Sequence, residues 1–210
     1  DIVKKQGLIV EFPYQKPDSL VKWVIKVLKS YNKTIDHVAA SQLVENSEMG
    51  MNEILNEINK IVSYVGDRLN VTSDDIERVC TKTVKGRIFD LTDAIAEKNS
   101  SRALKLLDDM IILKEPIPKI IYMINRQFRQ ILEMKLLVKS GLPVNEAASK
   151  MNLTSYAAGK VLKQSERFSI DLLKNALQKS LELDEAVKTG MLNDRIAAEL
   201  LILHGIEGEA

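Results

Sequence analysis

Residues 116–143 have the sequence PIPKIIYMINRQFRQILEMKLLVKSGLP, and this stretch decides the fold class. From Ile120 to Leu136 the apolar residues recur every three or four positions, which is the spacing of one face of an α-helix. Two prolines precede the pattern, and Gly141 and Pro143 follow it, as is common at helix boundaries. The stretch therefore predicts one long amphipathic helix.

Shorter helical patterns of the same kind fill most of the chain on both sides. They predict helices that begin at Asp18 or Ser19, at Thr34 or Asp36, after Gly50, at the Thr72–Asp75 cap cluster, near Ile88, near Ser101 and at Ser169. Two shorter helices are predicted over 144–151 and 155–167, and the last helix runs through Ile196 and ends near Gly205. The one convincing strand is GLIVEF at 7–12, closed by Pro13. A single strand is not stable in water, so we expect it to be the last strand of a truncated sheet.

These elements predict an all-α fold in two parts with one residual N-terminal strand. A lobe of small helices covers residues 16–82, and a bundle of longer helices covers residues 83–210. The polar stretch from Thr81 to Gly86 is the expected boundary between them. Residues 1–15 then hold only the residual strand.

Composition and charge limit the classes of function. There are 30 Lys and Arg against 29 Asp and Glu, so any contact with nucleic acid must come from a local patch. The one cysteine, Cys80, excludes an internal disulfide and fits a reducing cytoplasm. No apolar run is long enough to span a bilayer, and the start, DIVKK, is neither a signal peptide nor a natural start. We therefore expect a cytoplasmic location and a missing N-terminal portion.

The sequence contains no motif that carries catalysis or cofactor binding. A phosphate-binding loop fails because Thr154 stands where the first glycine before Gly159-Lys160 is needed. His37, His204 and Cys80 are the only His and Cys residues, and no two of them have the spacing of metal ligands. We predict no catalytic residue, no cofactor and no metal, so an enzyme is the least favoured hypothesis.

Charged residues are distributed unevenly along the chain. Between Thr34 and Asn59 they are all acidic, which predicts an acidic face: Asp36, Glu45, Glu48, Glu53 and Glu57. Two helices of the second part are basic, and the candidate DNA-contacting positions there are Arg126, Arg129, Tyr156, Lys160, Lys163 and Arg167. A solvated helix face gives the same pattern, so both interpretations stay open.

Residues 144–167 also have the pattern of a helix, a short turn and a second helix. A helix-turn-helix reader places its second helix in a major groove, and this gives the alternative hypothesis of a DNA-binding regulator. Asn152 and Thr154 also serve simply to end one helix and cap the next. Any pair of adjacent helices can show the same pattern.

Several segments, in order, resemble the delta subunit of the bacterial DNA polymerase III clamp loader. KKQGLIVEF at 4–12 resembles the final strand of that family's AAA+-like first domain, and NEINKIVSY at 56–64 resembles a helix of its second domain. The segments that resemble the collar domain of the family are IFDLTDAI at 88–95 with ALKLL at 103–107, QFR at 127–129, and DEAVKTG at 184–190. Taken in this order, the segments extend over nearly all of the chain.

The resemblance implies a lid-like domain over residues 16–82 and an oligomerisation domain, the collar, over residues 83–210. It implies that the collar joins tau/gamma and delta-prime subunits, and that the first domain, mostly absent here, grips and opens the sliding clamp. The assembled loader then meets primed DNA and no membrane, within a holoenzyme that is a DNA-directed DNA polymerase. No arginine precedes Arg68, so the lid-like lobe lacks the sensor arginine of ATP-hydrolysing relatives.

A collar of this kind needs apolar side chains that face other subunits. A few such anchors usually supply most of the affinity. The candidates are Phe89, Phe128, Leu136 and Phe168. The sequence alone does not separate the residues that face a partner from those that fill the core.

Overall fold

Eleven helices and two short strands lie wholly within the residues described by this computed structural model, which are 6–8, 10, 15–47 and 50–207. In chain order they are α1 (Pro17–Ser30), β1 (Thr34–Ile35), α2 (His37–Asn46), α3 (Met51–Val65), β2 (Asn70–Val71), α4 (Ser73–Val79), α5 (Val84–Ala96), α6 (Ser100–Ile112), α7 (Ile117–Lys139), α8 (Val144–Lys150), α9 (Ser155–Arg167), α10 (Ile170–Lys188) and α11 (Asp194–Glu207). The predicted all-α fold class is confirmed.

Most helix starts follow from side-chain caps that the sequence displays. The carboxylate of Asp36 accepts a hydrogen bond from the backbone N–H of Ala39 at 2.8 Å, and Ser169 caps α10 in the same way. Such a cap stabilises a helix by about 1 kcal/mol. The start of α1 differs from the prediction, because Lys16 is the residue before the helix and Pro17 is its first residue. Proline suits that position because the N–H of the first helical residue has no hydrogen-bond partner within the helix. A residue that lacks this N–H therefore loses no hydrogen bond there.

The first lobe, α1 to α4, has its own apolar core. Its largest fully buried side chains include Leu20, Leu28, Leu43, Ile54 and Ile58. A small parallel sheet, which was not predicted from the sequence, pairs Thr34 with Asn70 and Ile35 with Val71. The predicted strand at 7–12 falls mostly outside the described residues; Gly7, Leu8 and Val10 are described, and none of these three is in a strand.

The second lobe, α5 to α11, is built around α7. The buried face of α7 packs against α5, α9, α10 and α11, and Phe128 in its middle meets Phe168 edge-on with ring centroids 5.9 Å apart. A buried amide pair holds α9 in place: Gln127 donates to Gln164 at 2.7 Å, and Gln164 donates to Asp93 of α5 at 2.8 Å. The predicted long helix thus forms the centre of the second core.

The sequence predicted that the last helix ends near Gly205, and α11 runs to Glu207 with Gly205 buried inside it. At this glycine the helix approaches the side chains of Ile95 and Phe128. Among the described residues, no helix is both long enough and apolar enough to cross a bilayer.

Candidate functional surfaces

The outer face of α11 is the first candidate surface. Towards the core this helix buries Ala198, Leu201 and Ile202, yet its opposite face also carries apolar side chains. Ile196 is 47% exposed and Leu200 41% exposed, one turn apart. On the same helix Arg195 is exposed and pairs with Glu199 at 3.0 Å, so Ile196 and Leu200 form a small apolar patch beside an ion pair. An apolar patch rimmed by polar groups is a candidate surface for another protein.

A second apolar surface is the cleft between α7 and α10. Its volume is about 310 Å³, and Ile121, Tyr122, Leu181 and Val187 line it. Tyr122 and Leu181 are both more than half exposed. Polar residues line the cleft as well, among them Asn125, Asp184 and Asp194, the last of which is the first residue of α11.

Three of the four predicted interface residues do not lie on the surface. Phe89, Phe128 and Phe168 are buried in the core of the second lobe, where they pack against the lobe's own helices. Since buried rings cannot contact a partner, these three residues are core residues rather than interface residues. Leu136 is 46% exposed on the outer side of α7 and remains a candidate.

The basic residues of α9 form one strip along that helix. The ammonium group of Lys160 lies 5.2 Å from the ring centroid of Tyr156 and 5.4 Å from that of Phe89, which are cation–π distances. Arg167 pairs with Glu97 at 3.1 Å, whereas Lys163 is exposed without an ion pair to any described residue. The half-buried ring of Tyr156 has Lys160 over it, so a base stacking there must displace this lysine.

Arg126 and Arg129 are exposed on α7. Neither forms a side-chain hydrogen bond or ion pair with a described residue. The six candidate DNA-contacting residues thus lie on two helices, α7 and α9. The positions whose charged side chain has no ion-pair partner among the described residues are Arg126, Arg129 and Lys163.

The junction between the lobes contains a polar cluster that the sequence did not reveal. Glu45 of α2 is buried there, and it accepts a hydrogen bond from the hydroxyl of Thr154 at 2.8 Å and an ion pair from Lys85. Ser41 of α2 bonds to Ser155 of α9 at 3.0 Å. The acidic face expected in the first lobe is therefore partly a contact surface.

This junction also argues against the helix-turn-helix alternative. In such a reader the first residues of the second helix contact base edges. Here Thr154, which caps that helix, is buried against Glu45, and Ser155 is bonded to Ser41 and lies 3.3 Å from His37. The first lobe occupies the place that a major groove needs. The helix, turn and second helix are present, but as part of the packed bundle.

The described residues contain no group of three or more His, Cys, Asp or Glu side chains that could hold a metal ion. Burial, with the nearby carboxylate of Glu57, raises the pKa of the Cys80 thiol to about 12. A thiol of that pKa is protonated and a poor nucleophile at neutral pH.

Comparison with known families decides what kind of chain this is. The family model described as "DNA polymerase III delta subunit, C-terminal domain" matches residues 85–204, more than half of the chain. The chain belongs to this family. The delta-family match covers almost the whole core of the second lobe, and the resemblance found in the sequence is confirmed.

Delta relatives match over most of the chain. The DNA polymerase III subunit delta of Bacillus subtilis (strain 168) is 25% identical over 201 residues, which are 96% of this chain and 58% of the relative. The probable DNA polymerase III subunit delta of Aquifex aeolicus (strain VF5) is 21% identical over 148 residues, 70% of this chain and 42% of the relative. The solved structure of the Bacillus subtilis DNA clamp loader delta protein superposes with a TM-score of 0.71 at 25% identity, covering 98% of this chain and 60% of that one. This delta-family chain thus spans less than two thirds of each relative.

Proposed function

We propose that this chain is a non-catalytic assembly segment of a cytoplasmic clamp-loader delta subunit. In this proposal the second lobe is a collar domain that joins tau/gamma and delta-prime subunits, and residues 16–82 are the lid-like domain. The observation that carries it is the delta-family match to residues 85–204, which coincides with the core of the second lobe. In this proposal, contact with the sliding clamp belongs to a first domain outside this chain, which spans 58% of its Bacillus subtilis relative.

The two apolar surfaces of the second lobe support a role in a ring. Subunits in a ring contact each neighbour through a different surface, because such contacts run head to tail. The outer face of α11, with Ile196 and Leu200, and the α7–α10 cleft, with Tyr122 and Leu181, offer two such surfaces. We assign each of them to one neighbouring collar domain.

Assembly is tested by mixing this chain with purified tau/gamma and delta-prime subunits and measuring mass by size exclusion with light scattering. We expect a stable ring-sized complex, and at least about tenfold weaker association for Leu200→Lys, since a charge would be placed in an apolar contact. Leu69→Lys is the matched control, because Leu69 is 66% exposed on the first lobe.

Two results would contradict the proposal. One is no association of the wild-type chain with either subunit, and the other is equal association of the Leu200→Lys and Leu69→Lys variants. The first would argue against a collar, and the second would place the contact away from α11. Leu136→Lys, in the same assay, tests the remaining sequence-based interface residue.

We further propose that Arg126, Arg129 and Lys163 meet phosphates of primed DNA in the assembled loader. Their charges are exposed and have no ion-pair partner among the described residues, so they are available to an anion. Each phosphate contact on duplex DNA adds about 0.9 to the slope of log affinity against log salt. Reversing all three charges to Glu should therefore weaken binding and lower that slope by roughly 2 to 3.

The matched control reverses Lys22, Lys26 and Lys29 on α1, which are also exposed and change the net charge equally. We expect this control to change DNA binding by the assembly much less. An equal loss in both triple variants would show that only net charge matters, and it would overturn the assignment.

A further inference from the structure

The two lobes have separate cores and meet at a junction with α2 at its centre. No member of one core cluster belongs to the other among the described residues, and the chain passes between them once, from Val79 to Val84. Every residue of α2 from Ala39 to Asn46 is buried, because one face packs in the first lobe and another against α5 and α9. The arrangement of the lobes therefore depends on what α2 contacts.

The hydrogen bonds across this junction come from a polar face of α2. His37, Ser41 and Glu45 are spaced four residues apart, so they lie on one face of the helix. Ser41 and His37 both contact the hydroxyl of Ser155. Polar contacts of this kind are typical of domain interfaces that form and open, whereas permanent ones are more apolar.

Glu45 is an acidic residue of the first lobe that is buried at the junction with the second lobe. Its carboxylate lies at the start of two helices, beside Thr154, which caps α9, and Lys85, in the first turn of α5. Helix N-termini favour a negative charge. A buried carboxylate is tolerated only while such partners are present, and removing one of them is costly.

Lys82 ties the connecting segment to both lobes. Its ammonium group pairs with Glu77 of α4 at 3.3 Å and with Asp90 of α5 at 2.9 Å. This lysine sits between the two cores and holds both sides of the connection. It remains attached to both lobes if α2 leaves α9, so it marks a pivot.

We propose that Glu45 holds the lobes in a docked arrangement, and that they separate as rigid bodies about residues 80–83 when its charge loses Lys85. The protein thus has a docked and an undocked state, and the Glu45–Lys85 pair sets their ratio. This inference concerns the chain itself and does not depend on which subunits bind it. Docking would fix the lid-like lobe relative to the collar surfaces proposed above.

The test measures the distance between spin labels on the two lobes by double electron–electron resonance. Ser63→Cys and Ser101→Cys place the labels on exposed sites of α3 and α6. Cys80 can stay, because its thiol is buried and its pKa of about 12 keeps it unreactive at neutral pH. We expect one narrow distance in the wild-type background and a second, longer one in Lys85→Met.

Lys85→Met and two further variants make the result specific. Lys85→Met should raise the ratio of undocked to docked chains about tenfold or more, because it leaves a buried carboxylate. Adding Glu45→Gln to Lys85→Met should restore most of the narrow distance, since no unpaired charge then remains. Lys119→Met, which breaks the Lys119–Glu115 pair of the second lobe, should change nothing.

Amide exchange separates undocking from loss of fold. In Lys85→Met we expect faster exchange in α2 and the first turn of α9, with unchanged protection in α3 and α7. An unchanged narrow distance in Lys85→Met, or a distance that is already broad in the wild-type background, would overturn the proposal. Loss of protection throughout the chain would overturn it as well, because the pair would then support folding rather than docking.

Discussion

At the scale of single residues, two buried charged groups of the first lobe, Asp75 and Lys33, have hydrogen-bonding partners. Asp75 accepts two hydrogen bonds from Arg68, at 2.7 and 3.1 Å, and one from the backbone N–H of Thr72 at 2.9 Å. Lys33, almost fully buried, donates to the backbone carbonyls of Gly66 and Arg68. These contacts fix the turn between α3 and β2 and the start of α4.

We expect Asp75→Asn to lower the free energy of unfolding of the first lobe by about 1–2 kcal/mol, because hydrogen bonds to a charged group contribute that much. The measurement is denaturant unfolding at neutral pH. Asp74→Asn is the control: Asp74 is adjacent and acidic, but it is exposed and pairs only with Arg78. A surface pair of this kind contributes little.

The same carboxylate predicts a direction of pH dependence. Burial alone opposes the charge on Asp75, but the hydrogen bonds from Arg68 and Thr72 outweigh it, so its pKa lies below the ordinary value. Its stabilising effect is therefore complete above the unfolded pKa of about 3.9 and is lost as pH falls through the folded pKa. The stability difference between wild type and Asp75→Asn should be constant above about pH 5 and shrink in acid; a difference that grows in acid would contradict this.

At the scale of elements, α11 packs closely because of one glycine. A Cβ added at Gly205 would lie 3.1 Å from Cγ2 of Ile95 and 3.2 Å from Cζ of Phe128, and both of those side chains are fully buried. At these distances a neighbouring side chain must shift slightly to admit the Cβ. Gly159, on the exposed side of α9, has no atom within 4 Å of such a Cβ.

These two glycines predict opposite effects of the same substitution. Gly205→Ala should destabilise the second lobe by about 1 kcal/mol, because overpacking a core costs more than the gain in helix propensity. Gly159→Ala should stabilise it by about 0.5–1 kcal/mol, since only the propensity gain applies. Thermal unfolding of both variants checks this, and a stabilising Gly205→Ala would show that α11 can shift outwards.

The elements also show what the sequence determines and what it does not. Helix starts at Asp36, Thr72 and Ser169 depend on local caps, and the sequence predicted them. The parallel sheet of two-residue strands leaves no periodic pattern, so it was missed. Gly205 looked like a helix end because its role depends on a contact with Phe128, far away in sequence.

The candidate surfaces were harder to predict, for the same reason. An apolar pattern shows that Phe89, Phe128 and Leu200 avoid water, but the packing of the whole bundle decides which of them is exposed. Glu45 seemed part of a solvated acidic face. Its partners Lys85 and Thr154 are 40 and 109 residues further along the chain, and no local pattern connects them.

At the scale of the whole molecule, two separate apolar cores meet through a polar junction. The first core contains Ile58 and the second contains Phe128, both fully buried. Hydrophobic burial is the main source of stability, so each lobe holds most of its stabilising contacts within itself. We therefore propose that the division of the chain near residue 82 separates two folding units as well as two lobes.

If the lobes are separate folding units, a cavity in one core should leave the other intact. We expect Ile58→Ala to lower the free energy of opening of α3 and its neighbours by about 2–5 kcal/mol and to leave α7 unchanged, because the lost contacts and the cavity are local. Phe128→Ala should do the reverse. Amide exchange resolved by segment makes the comparison, and each variant serves as the control for the other. Equal loss of protection in both lobes from either variant would mean that the polar junction joins them into one cooperative unit, and the proposed boundary would then mark only a bend in the chain.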